Sequence, residues 1–346
     1  MARPRDGGGG ARVRAAVFRG VGRVVDEEWP TPAIGDGELL VRVRGCGLCG
    51  SDIAKITSPA TRAPAVFGHE VVGDVVAAGT GAPFAIGDRV VTAHHVPCGR
   101  CHYCARGSAS MCRAFKTSNL DPGGFAELVR VPAVNAAHAT FRLPDGVGDT
   151  AAIFVEPLAC CLRALARAPV GRGDTAVVVG LGSIGCLFVQ LLRRAGAVVV
   201  GTDPLESRAE LAKRFGAEVA GPGPMAAAAA RELTDGRGAD QIVITGGGAA
   251  VLPWAVDVVR DGGTIHYFAG GGGTLPLGLD ALYARELTLL ATYSSSPAEL
   301  RAAFELVTGG AVIVHDLVTH CLPLARLGEG VELTRRREAL KVYVTP

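Results

Sequence analysis

Residues 175–203 read TAVVVGLGSIGCLFVQLLRRAGAVVVGTD, and this stretch decides the fold class. Its first five residues, Thr175 to Val179, are apolar or β-branched and predict a fully buried parallel strand. The apolar positions that follow shift to helical spacing, and a second strand comes after the helix. The turn between strand and helix has the pattern G-x-G-x-x-G, formed by Gly180, Gly182 and Gly185. This order of elements predicts a doubly wound α/β unit.

The same stretch predicts a dinucleotide site. Glycines at the N-terminus of a helix let the backbone approach a pyrophosphate. Asp203 lies 18 residues beyond the last glycine and can accept both hydroxyls of an adenosine ribose but would repel a 2′-phosphate, so we expect NAD rather than NADP. Arg208 is either a stacking partner for the adenine or an ordinary surface arginine. The predicted cofactor-binding residues are Gly180, Gly182, Ser183, Ile184, Gly185, Asp203 and Arg208.

The chain divides into two predicted domains and a tail. Residues 156–290 alternate strands and helices and are predicted to form a Rossmann-type parallel-sheet domain. Residues 13–155 are rich in short runs such as ELLVRVRGCG and GGFAELVRVP, which predict a mostly antiparallel, partly barrel-like β domain. Residues 291–346 return to a β-type ending, so we expect them to complete this β domain. Residues 1–12 are charged and glycine-rich and are predicted to be a flexible tail.

The composition is that of a globular protein with a small-molecule partner. The chain has 346 residues, of which 49% are hydrophobic, and its mean hydropathy is +0.31. Its 35 basic and 33 acidic residues are interspersed and leave a net charge of +2, so we expect no nucleic acid and no membrane surface as partner. Apolar runs fall short of the roughly 18 residues that a membrane span needs, and no signal-peptide segment is seen, so we predict a cytoplasmic protein.

Four of the ten cysteines form a compact cluster with the spacing C-x2-C-x2-C-x7-C. In a chain without a secretory signal, thiolates and metals are favoured over disulfides. A turn-rich loop of this kind can close four sulfurs around Zn²⁺ with no open position, as a structural site requires. The alternatives are free buried cysteines and an iron–sulfur cluster, which the x7 gap and the absence of a following Cys-Pro disfavour. The predicted structural-zinc ligands are Cys98, Cys101, Cys104 and Cys112.

Three further motifs occur along the chain. They are Gly68-His69-Glu70-x2-Gly73-x5-Gly79, CGLCGSD at 46–52 and VEPLACCLRAL at 155–165. Together with the cysteine cluster and the glycine pattern, they resemble the zinc-dependent medium-chain dehydrogenases/reductases of the alcohol dehydrogenase superfamily, over nearly the whole chain from about residue 13. The resemblance implies a GroES-like catalytic domain, a Rossmann coenzyme domain, an NAD-dependent zinc alcohol dehydrogenase activity and a homodimer or homotetramer. Many alcohol dehydrogenases carry a cysteine at the position of Glu156. In having a glutamate there, the chain resembles the polyol, threonine and aminocyclitol dehydrogenase branch of the family.

The resemblance also implies a catalytic zinc centre made by Cys49, His69, Glu70 and Glu156. These residues supply one thiolate, one imidazole and two carboxylates, and a Zn²⁺ held by three of them keeps a position open for substrate. Which of the two glutamates binds zinc in the resting state stays open. The alternative for His69 and Glu70 is a buried histidine hydrogen-bonded to its neighbour.

The same resemblance gives roles to Ser51 and Asp52, which follow the first cysteine ligand, Cys49. Ser51 matches the hydroxyl that takes the substrate proton, and its alternative role is to begin a helix. Asp52 is expected to accept a hydrogen bond from the second imidazole nitrogen of His69 and fix its tautomer, and its alternative role is to cap the following helix. Ala54 stands where many relatives have a relay histidine, so the proton must leave through the cofactor ribose, water or Glu156.

Three nearby residues are given no role in the chemistry. Cys46 and Cys49 have the spacing of a redox dithiol, but no thioredoxin-like context surrounds them, so we interpret Cys46 as a packing residue. His94 and His95 precede the cysteine cluster and are interpreted as ordinary loop or strand histidines.

These residues predict an enzyme that oxidises an alcohol. Zinc would lower the pKa of a substrate hydroxyl, and the adjacent C–H bond would deliver hydride to the nicotinamide, giving a ketone or aldehyde. A glutamate-rich site and an aromatic content of only 5% favour a polar secondary alcohol, such as a polyol, sugar or aminocyclitol. The composition, rich in Ala, Gly and Arg, suggests a GC-rich bacterial source, in which aminoglycoside-type pathways use such enzymes. The alternatives are a threonine-type amino alcohol dehydrogenase and a non-catalytic NAD(H)-binding zinc protein.

Overall fold

The computed structural model describes residues 11–270, 274 and 278–346. The chain divides into two compact units. The first unit extends to Pro157 and resumes over Ser295–Pro346, and the second unit is Leu158–Ser294. Residues 1–10 of the predicted tail lie outside the described residues. Arg12 already belongs to the first strand, where its backbone pairs with a neighbouring strand, so the tail prediction is wrong at that residue.

The described residues form sixteen strands and thirteen α-helices. Within the described residues, the strands are β1 Arg12–Gly20, β2 Arg23–Pro30, β3 Leu39–Gly47, β4 Ala65–Val66, β5 Glu70–Ala78, β6 Arg89–Thr92, β7 Leu128–Val131, β8 Thr140–Arg142, β9 Thr175–Val179, β10 Val198–Thr202, β11 Val219–Gly221, β12 Ala239–Ile244, β13 Val259–Tyr267, β14 Thr288–Ala291, β15 Val318–Pro323 and β16 Lys341–Thr345. The helices of the same residues are α1 Gly50–Thr57, α2 His102–Ala105, α3 Arg113–Thr117, α4 Ala133–His138, α5 Asp149–Ala152, α6 Val155–Arg167, α7 Ser183–Arg194, α8 Glu206–Arg214, α9 Gly223–Glu232, α10 Leu252–Val258, α11 Leu279–Ala284, α12 Pro297–Thr308 and α13 Leu327–Arg335. None of these helices is both long enough and apolar enough to cross a membrane.

The first unit is built on two sheets, as far as the described residues show. The smaller sheet is antiparallel and has the order β2-β1-β4. The larger sheet has the order β15-β16-β3-β5-β6-β8, and β7 also pairs with β3. Its strand pairs are antiparallel except for β15 and β16, which are parallel. Alternate residues of β3, such as Leu39, Val41 and Val43, are buried in the core, and the predicted mostly antiparallel β fold is confirmed.

Strand register brings three distant parts of the chain to one end of the larger sheet. β3 is antiparallel to β5, so Gly47 at the end of β3 pairs with Glu70 at the start of β5. β3 is also antiparallel to β16 on its other edge, where Gly47 pairs with Tyr343. Residues that follow β3 and residues that begin β5 and β16 therefore meet, although Glu70 and Lys341 are 271 positions apart in the sequence.

The second unit is built on a parallel sheet with the order β11-β10-β9-β12-β13-β14, within the described residues. All of these strand pairs are parallel. Every residue of β9 is buried, as expected for a central strand that is covered on both faces. The helix α7 connects β9 to its neighbour β10, as the glycine pattern predicts. The predicted Rossmann-type fold is confirmed.

Candidate active site

The first candidate metal centre lies at the end of the larger sheet. Cys49 follows β3 and caps α1, His69 precedes β5, and Glu70 begins β5. One ligand atom from each of these three residues lies within 4.8 Å of the other two. His69 and Glu70 are buried, and Cys49 is half-buried. The group offers a sulfur, an imidazole nitrogen and a carboxylate oxygen, which is a donor set that Zn²⁺ accepts in proteins.

Asp52 orients His69. Its Oδ1 lies 3.2 Å from His69 Nδ1, and its side chain is completely buried. Its Oδ2 accepts a hydrogen bond from the N–H of Cys49 at 3.3 Å, so Asp52 makes both the orienting and the capping contact. Burial alone would lower the pKa of His69, but the carboxylate of Asp52 overrides this effect and raises the pKa well above its usual value. With Nδ1–H donating to Asp52, Nε2 is left for a metal.

Lys341 is a residue of this site that sequence reasoning missed. Its Nζ donates to both carboxylate oxygens of Glu70, at 2.7 and 2.8 Å, and neither side chain is more than 4% exposed. Burial opposes the charge of Lys341, but Glu70 and Cys49 raise its pKa. A Cβ at Gly47 would lie 1.8 Å from Glu70 Oε2, so only glycine leaves room for this carboxylate. The available signal in the sequence was a lysine at the start of the apolar strand KVYVT.

The structure does not bring Glu156 into the same group of ligand atoms. Glu156 is the second residue of α6, is buried, and raises the pKa of Lys341 through its charge. Among the described residues, the group within 4.8 Å contains Cys49, His69 and Glu70. Ser51 and Ala54 both lie on the exposed side of α1. Cys46 is completely buried, as expected for a packing residue.

His94 and His95 lie closer to this centre than the sequence indicates. Val71 on β5 pairs with Thr92 on β6, and the same register continued by two residues places position 69 opposite position 94. The ring centroids of His69 and His94 are 4.5 Å apart, and those of His94 and His95 are 3.7 Å apart. The interpretation of these two residues as ordinary loop or strand histidines did not include their proximity to His69, which follows from the pairing of β5 with β6.

The second candidate metal centre is the cysteine cluster. Cys101 caps α2, Cys104 lies within α2, Cys112 caps α3, and Cys98 lies in the preceding loop. One sulfur from each residue lies within 4.8 Å of the other three. Four sulfurs at these separations, without a carboxylate or a histidine among them, fit the closed tetrahedral coordination of a structural zinc.

The thiols of this cluster differ in their pKa values. The N–H of Cys98 lies 3.4 Å from Cys112 Sγ, and this N–H together with that of Phe115 lowers the pKa of Cys112 to about 6. The pKa of Cys104 is raised to about 11 by desolvation and by the neighbouring thiol of Cys101. Four close sulfurs cannot all ionise without a cation between them, so the unequal pKa values fit a site that needs a positive ion.

The three glycines of the dinucleotide motif have different surroundings. Gly180 has a φ of +89°, which the turn after β9 requires. A Cβ at Gly185 would lie 1.9 Å from the carbonyl oxygen of Gly180, so α7 packs on the turn only with glycine at this position. A Cβ at Gly182 would meet nothing closer than Arg208 Nη1 at 3.9 Å, so open space lies before the 12-residue helix α7. A pyrophosphate fits this space at the helix N-terminus. The first two residues of α7 are Ser183 and Ile184.

Asp203 lies beside the same turn. Its Oδ2 accepts a hydrogen bond from the N–H of Leu181 at 2.9 Å, and its Oδ1 accepts one from the N–H of Leu205 at 3.0 Å. Arg208 Nη1 lies 3.7 Å from Asp203 Oδ2. Each carboxylate oxygen has a second lone pair, so Asp203 keeps the capacity to accept ribose hydroxyls.

Two protein-family models match the chain. The model described as "Alcohol dehydrogenase GroES-like domain" matches residues 35–145, and the model described as "Zinc-binding dehydrogenase" matches residues 183–309. The first match contains Cys49, His69, Glu70 and the four clustered cysteines. The second contains the glycine turn from Ser183 onward and Asp203.

Individual relatives match over almost the whole chain. A sorbitol dehydrogenase of Halalkalibacterium halodurans is 31% identical over 94% of this chain and 97% of its own length. An L-threonine 3-dehydrogenase of Deinococcus radiodurans is 29% identical over 93% of both chains. The solved structure of a zinc-binding dehydrogenase from Sinorhizobium meliloti 1021 bound to NADP is 28% identical and superimposes with a TM-score of 0.85 over 97% of this chain and 100% of that chain. With these matches and the two sites described above, the chain belongs to the zinc-dependent medium-chain dehydrogenases/reductases and is a zinc-type alcohol dehydrogenase.

Proposed function

We propose that this protein oxidises a polar secondary alcohol to a ketone with NAD as the hydride acceptor, and that each chain holds one catalytic and one structural Zn²⁺. The observation that carries the proposal is the meeting of Cys49, His69 and Glu70 within 4.8 Å at the end of one sheet. The cysteine cluster supports the second zinc. The open glycine turn and Asp203 support the dinucleotide.

The residues around the catalytic zinc have separate roles in this proposal. Cys49 and His69 hold the metal, and Asp52 fixes the tautomer and the direction of His69. We assign the third ligand position in the resting state to Glu70, because its carboxylate lies within 4.8 Å of the ligand atoms of Cys49 and His69 and each of its oxygens keeps a second lone pair beside the hydrogen bond from Lys341. Glu156, which is buried at the start of α6 and, among the described residues, lies outside this group of ligand atoms, is the alternative third ligand. When it is bound, Zn²⁺ supplies a Lewis acid that lowers the pKa of a substrate hydroxyl.

Proton and hydride leave the substrate by different routes. We assign to Ser51 the acceptance of the hydroxyl proton, because it lies two residues after Cys49 on the exposed side of α1. Ala54 cannot relay a proton further, so the proton continues through water or a cofactor hydroxyl. NAD, when bound, accepts the hydride. Asp203 favours NAD because a carboxylate that already lies beside the turn would repel a 2′-phosphate.

The proposed substrate class is a polyol, a sugar or an aminocyclitol. The carboxylates of Glu70 and Glu156 are buried, and buried polar groups need polar partners. They therefore favour a substrate with several hydroxyl or amino groups over an apolar alcohol. The relative that is named a sorbitol dehydrogenase acts, by its name, on such a compound. The aminocyclitol, of the kind used in aminoglycoside biosynthesis, is the narrowest form of the proposal.

A substrate panel tests the proposal directly. The formation of NADH or NADPH would be followed by absorbance with linear polyols, inositols, aminocyclitols, sugars, L-threonine and an apolar secondary alcohol, and zinc would be counted per chain on the same preparation. We expect two zinc ions per chain, a rate with at least one polyhydroxylated compound, and a preference for NAD. A protein that uses only the apolar alcohol, or prefers NADP, would contradict the proposal.

A threonine-type amino alcohol dehydrogenase is the second candidate. The relative from Deinococcus radiodurans favours it, because that protein is named for L-threonine and matches over nearly its full length. A rate with L-threonine that exceeds the rates with all cyclic and linear polyols would select this candidate, while the reaction and the metal sites would stay the same.

We propose that the protein assembles as a homodimer or homotetramer through its second unit. Within the described residues, β14 is one of the two edge strands of the parallel sheet, and Leu289 on it is exposed. Leu279 and Tyr283 on α11 are 79% and 88% exposed. An edge strand next to exposed apolar side chains is a surface that a second copy can cover. Light scattering should give a mass of two or four chains, and Tyr283→Arg should lower it.

A further inference from the structure

A continuous stack of four rings connects the two candidate metal centres. The ring centroids of His69 and His94 are 4.5 Å apart, those of His94 and His95 are 3.7 Å apart, and those of His95 and Phe115 are 4.7 Å apart. All four residues are in the first unit. The stack therefore begins at a residue of the first metal centre and runs toward the cysteine cluster.

The far end of the stack is tied to the cysteine cluster. Phe115 is 1% exposed and lies in α3, the helix that Cys112 caps. The backbone N–H of Phe115 interacts with the Cys112 sulfur and lowers the pKa of that thiol. A metal bound by Cys112 would consequently fix the start of α3 and, with it, the ring of Phe115.

The two histidines in the middle of the stack differ in their contacts with the rest of the protein. His95 Nδ1 lies 2.6 Å from the carbonyl oxygen of Ser118, and the hydroxyl of Ser118 accepts a hydrogen bond from the N–H of Val96 at 2.9 Å. His94 Nδ1 is buried and, among the described residues, has no hydrogen-bond partner. Packing between the rings of His69 and His95 therefore positions His94. Burial lowers the pKa of His94 well below its usual value and that of His95 to about 4, so these two rings are uncharged at neutral pH.

The stack restricts His69 in a direction that Asp52 does not. The hydrogen bond from Nδ1 to Asp52 fixes one edge of the ring but permits the ring to tilt about that bond. The ring of His94 meets His69 at an interplanar angle of 42°, so a tilt of His69 would have to displace His94 and then His95. Tilting changes the direction of the Nε2 lone pair, on which the strength of a metal bond depends.

We propose that His94 and His95 are positioning residues through which the filled cysteine centre holds His69 in its metal-binding orientation, so that the first centre retains its metal more tightly when the cysteine centre is occupied. This inference rests on the two metal centres of the proposed function. It adds a dependence between them, carried by four named rings.

The first experiment measures metal release from each centre. Loading the protein with Co²⁺ gives different charge-transfer bands for a site with one thiolate and a site with four, so release to a chelator can be followed at each centre separately. We expect His94→Ala to speed release from the first centre by about tenfold, at the lower end of the 10–100-fold effect of residues that orient metal ligands. His94→Phe keeps a ring in the stack and should stay within about twofold of the wild type. His315→Ala is a matched control on an exposed histidine.

The second experiment tests the connection between the centres. We expect Cys104→Ser, which empties or weakens the cysteine centre, to speed release from the first centre in the wild-type background and to have no further effect when His94 is already alanine. If Cys104→Ser does not fold, as judged by circular dichroism, His95→Leu replaces it because this change leaves all metal ligands in place. In this alternative experiment, His95→Leu on its own should speed metal release from the first centre. Combined with His94→Ala, it should cause no further increase.

The outcomes separate this inference from the proposed function. A wild-type protein that takes up no metal at the first centre would overturn the metal centres themselves. A wild-type protein with both centres filled, together with an unchanged release rate in His94→Ala or strictly multiplicative effects in the double variant, would overturn only the connection through the stack.

Discussion

Lys341 donates hydrogen bonds from one ammonium group to both carboxylate oxygens of Glu70, and the pair is buried. The pair lies at the end of the larger sheet, where Glu70 is also within reach of Cys49 and His69. The same carboxylate therefore faces a permanent cation and a site for a second one. Lys341 determines how much negative charge Glu70 offers to a metal.

Lys341→Met should strongly destabilise the protein. It would leave a buried carboxylate without its cation, and the loss of one partner from a buried ion pair typically costs about 3–5 kcal/mol. The free energy of unfolding from urea titration checks this expectation. The double variant Lys341→Met/Glu70→Gln removes both charges and should recover part of the loss, whereas equal stability of Lys341→Met and the wild type would show that the pair has no energetic role.

Gly182→Ala and Gly185→Ala should fail in different ways. A Cβ at Gly185 meets a carbonyl oxygen at 1.9 Å, so the alanine must displace α7 and should lower the free energy of unfolding by about 1–3 kcal/mol, as overpacking does. A Cβ at Gly182 meets open space, so this variant should stay as stable as the wild type but bind NAD more weakly. Thermal unfolding and NADH fluorescence titration on both variants test the contrast. Full NAD affinity in Gly182→Ala would place the pyrophosphate elsewhere.

The glycine motif shows what could be predicted from the sequence. A strand, a turn and a helix are local, so their order and the place of Gly180, Gly182 and Gly185 follow from neighbouring residues alone. The clustering of the four cysteines was also predictable, because all of them fall within one short loop. Each of these predictions depended on contacts between residues close in the chain.

Cys104→Ser should lose one zinc per chain and lower the melting temperature. The four sulfurs lie within 4.8 Å of one another, so replacement of one removes a quarter of a closed coordination shell. Cys321 is exposed and outside both metal groups, and Cys321→Ser is therefore the matched control. Metal analysis and thermal unfolding are the measurements. An unchanged zinc count in Cys104→Ser would show that this loop does not bind zinc.

Asp203→Asn should weaken NAD binding and reduce the preference for NAD over NADP. The amide keeps one acceptor oxygen for the turn, where Asp203 now receives the N–H of Leu181, but it has no charge to repel a 2′-phosphate. Dissociation constants for NADH and NADPH check both effects. Asp235→Asn is the control, because that side chain is 94% exposed. A preference for NAD that survives in Asp203→Asn would assign cofactor choice to other residues.

His266 should make the protein acid-sensitive between pH 6.5 and about 4. Burial lowers its pKa from 6.5 to about 4, so below pH 6.5 the unfolded chain takes up the proton first and the free energy of unfolding falls with falling pH. At about 1.4 kcal/mol per pKa unit, the loss reaches at most about 3 kcal/mol near pH 4. Urea titrations at pH 7, 6 and 5 should show a weaker decline in His266→Leu than in the wild type. The exposed histidine variant His315→Leu should decline as the wild type does.

The parts of the site that the sequence did not reveal depend on long-range pairing. Lys341 reaches Glu70 only because β16 and β5 both pair with β3, and nothing in either segment alone indicates the other. His94 reaches His69 only through the register of β5 with β6. The separation of Glu156 from the ligand group depends on how α6 begins, which the segment VEPLA does not specify. Residue type identified candidates, but strand register selected their partners.

The pairing of β3 with both β5 and β16 also has a consequence for synthesis. The second unit is continuous in the chain and can fold as soon as it leaves the ribosome, whereas the first unit lacks β15 and β16 until much later. Lys341 follows Glu70 by 271 residues, which at about 5–20 residues per second is a delay of more than about ten seconds. During that interval Glu70 lacks the Lys341 cation, and the end of β3 at Cys46 and Gly47 lacks β16 as its neighbour. A metal ion that bound before Lys341 was synthesised would meet the carboxylate of Glu70 without its ion-pair partner. The order of translation, as well as the finished fold, therefore bears on which ion enters the site first.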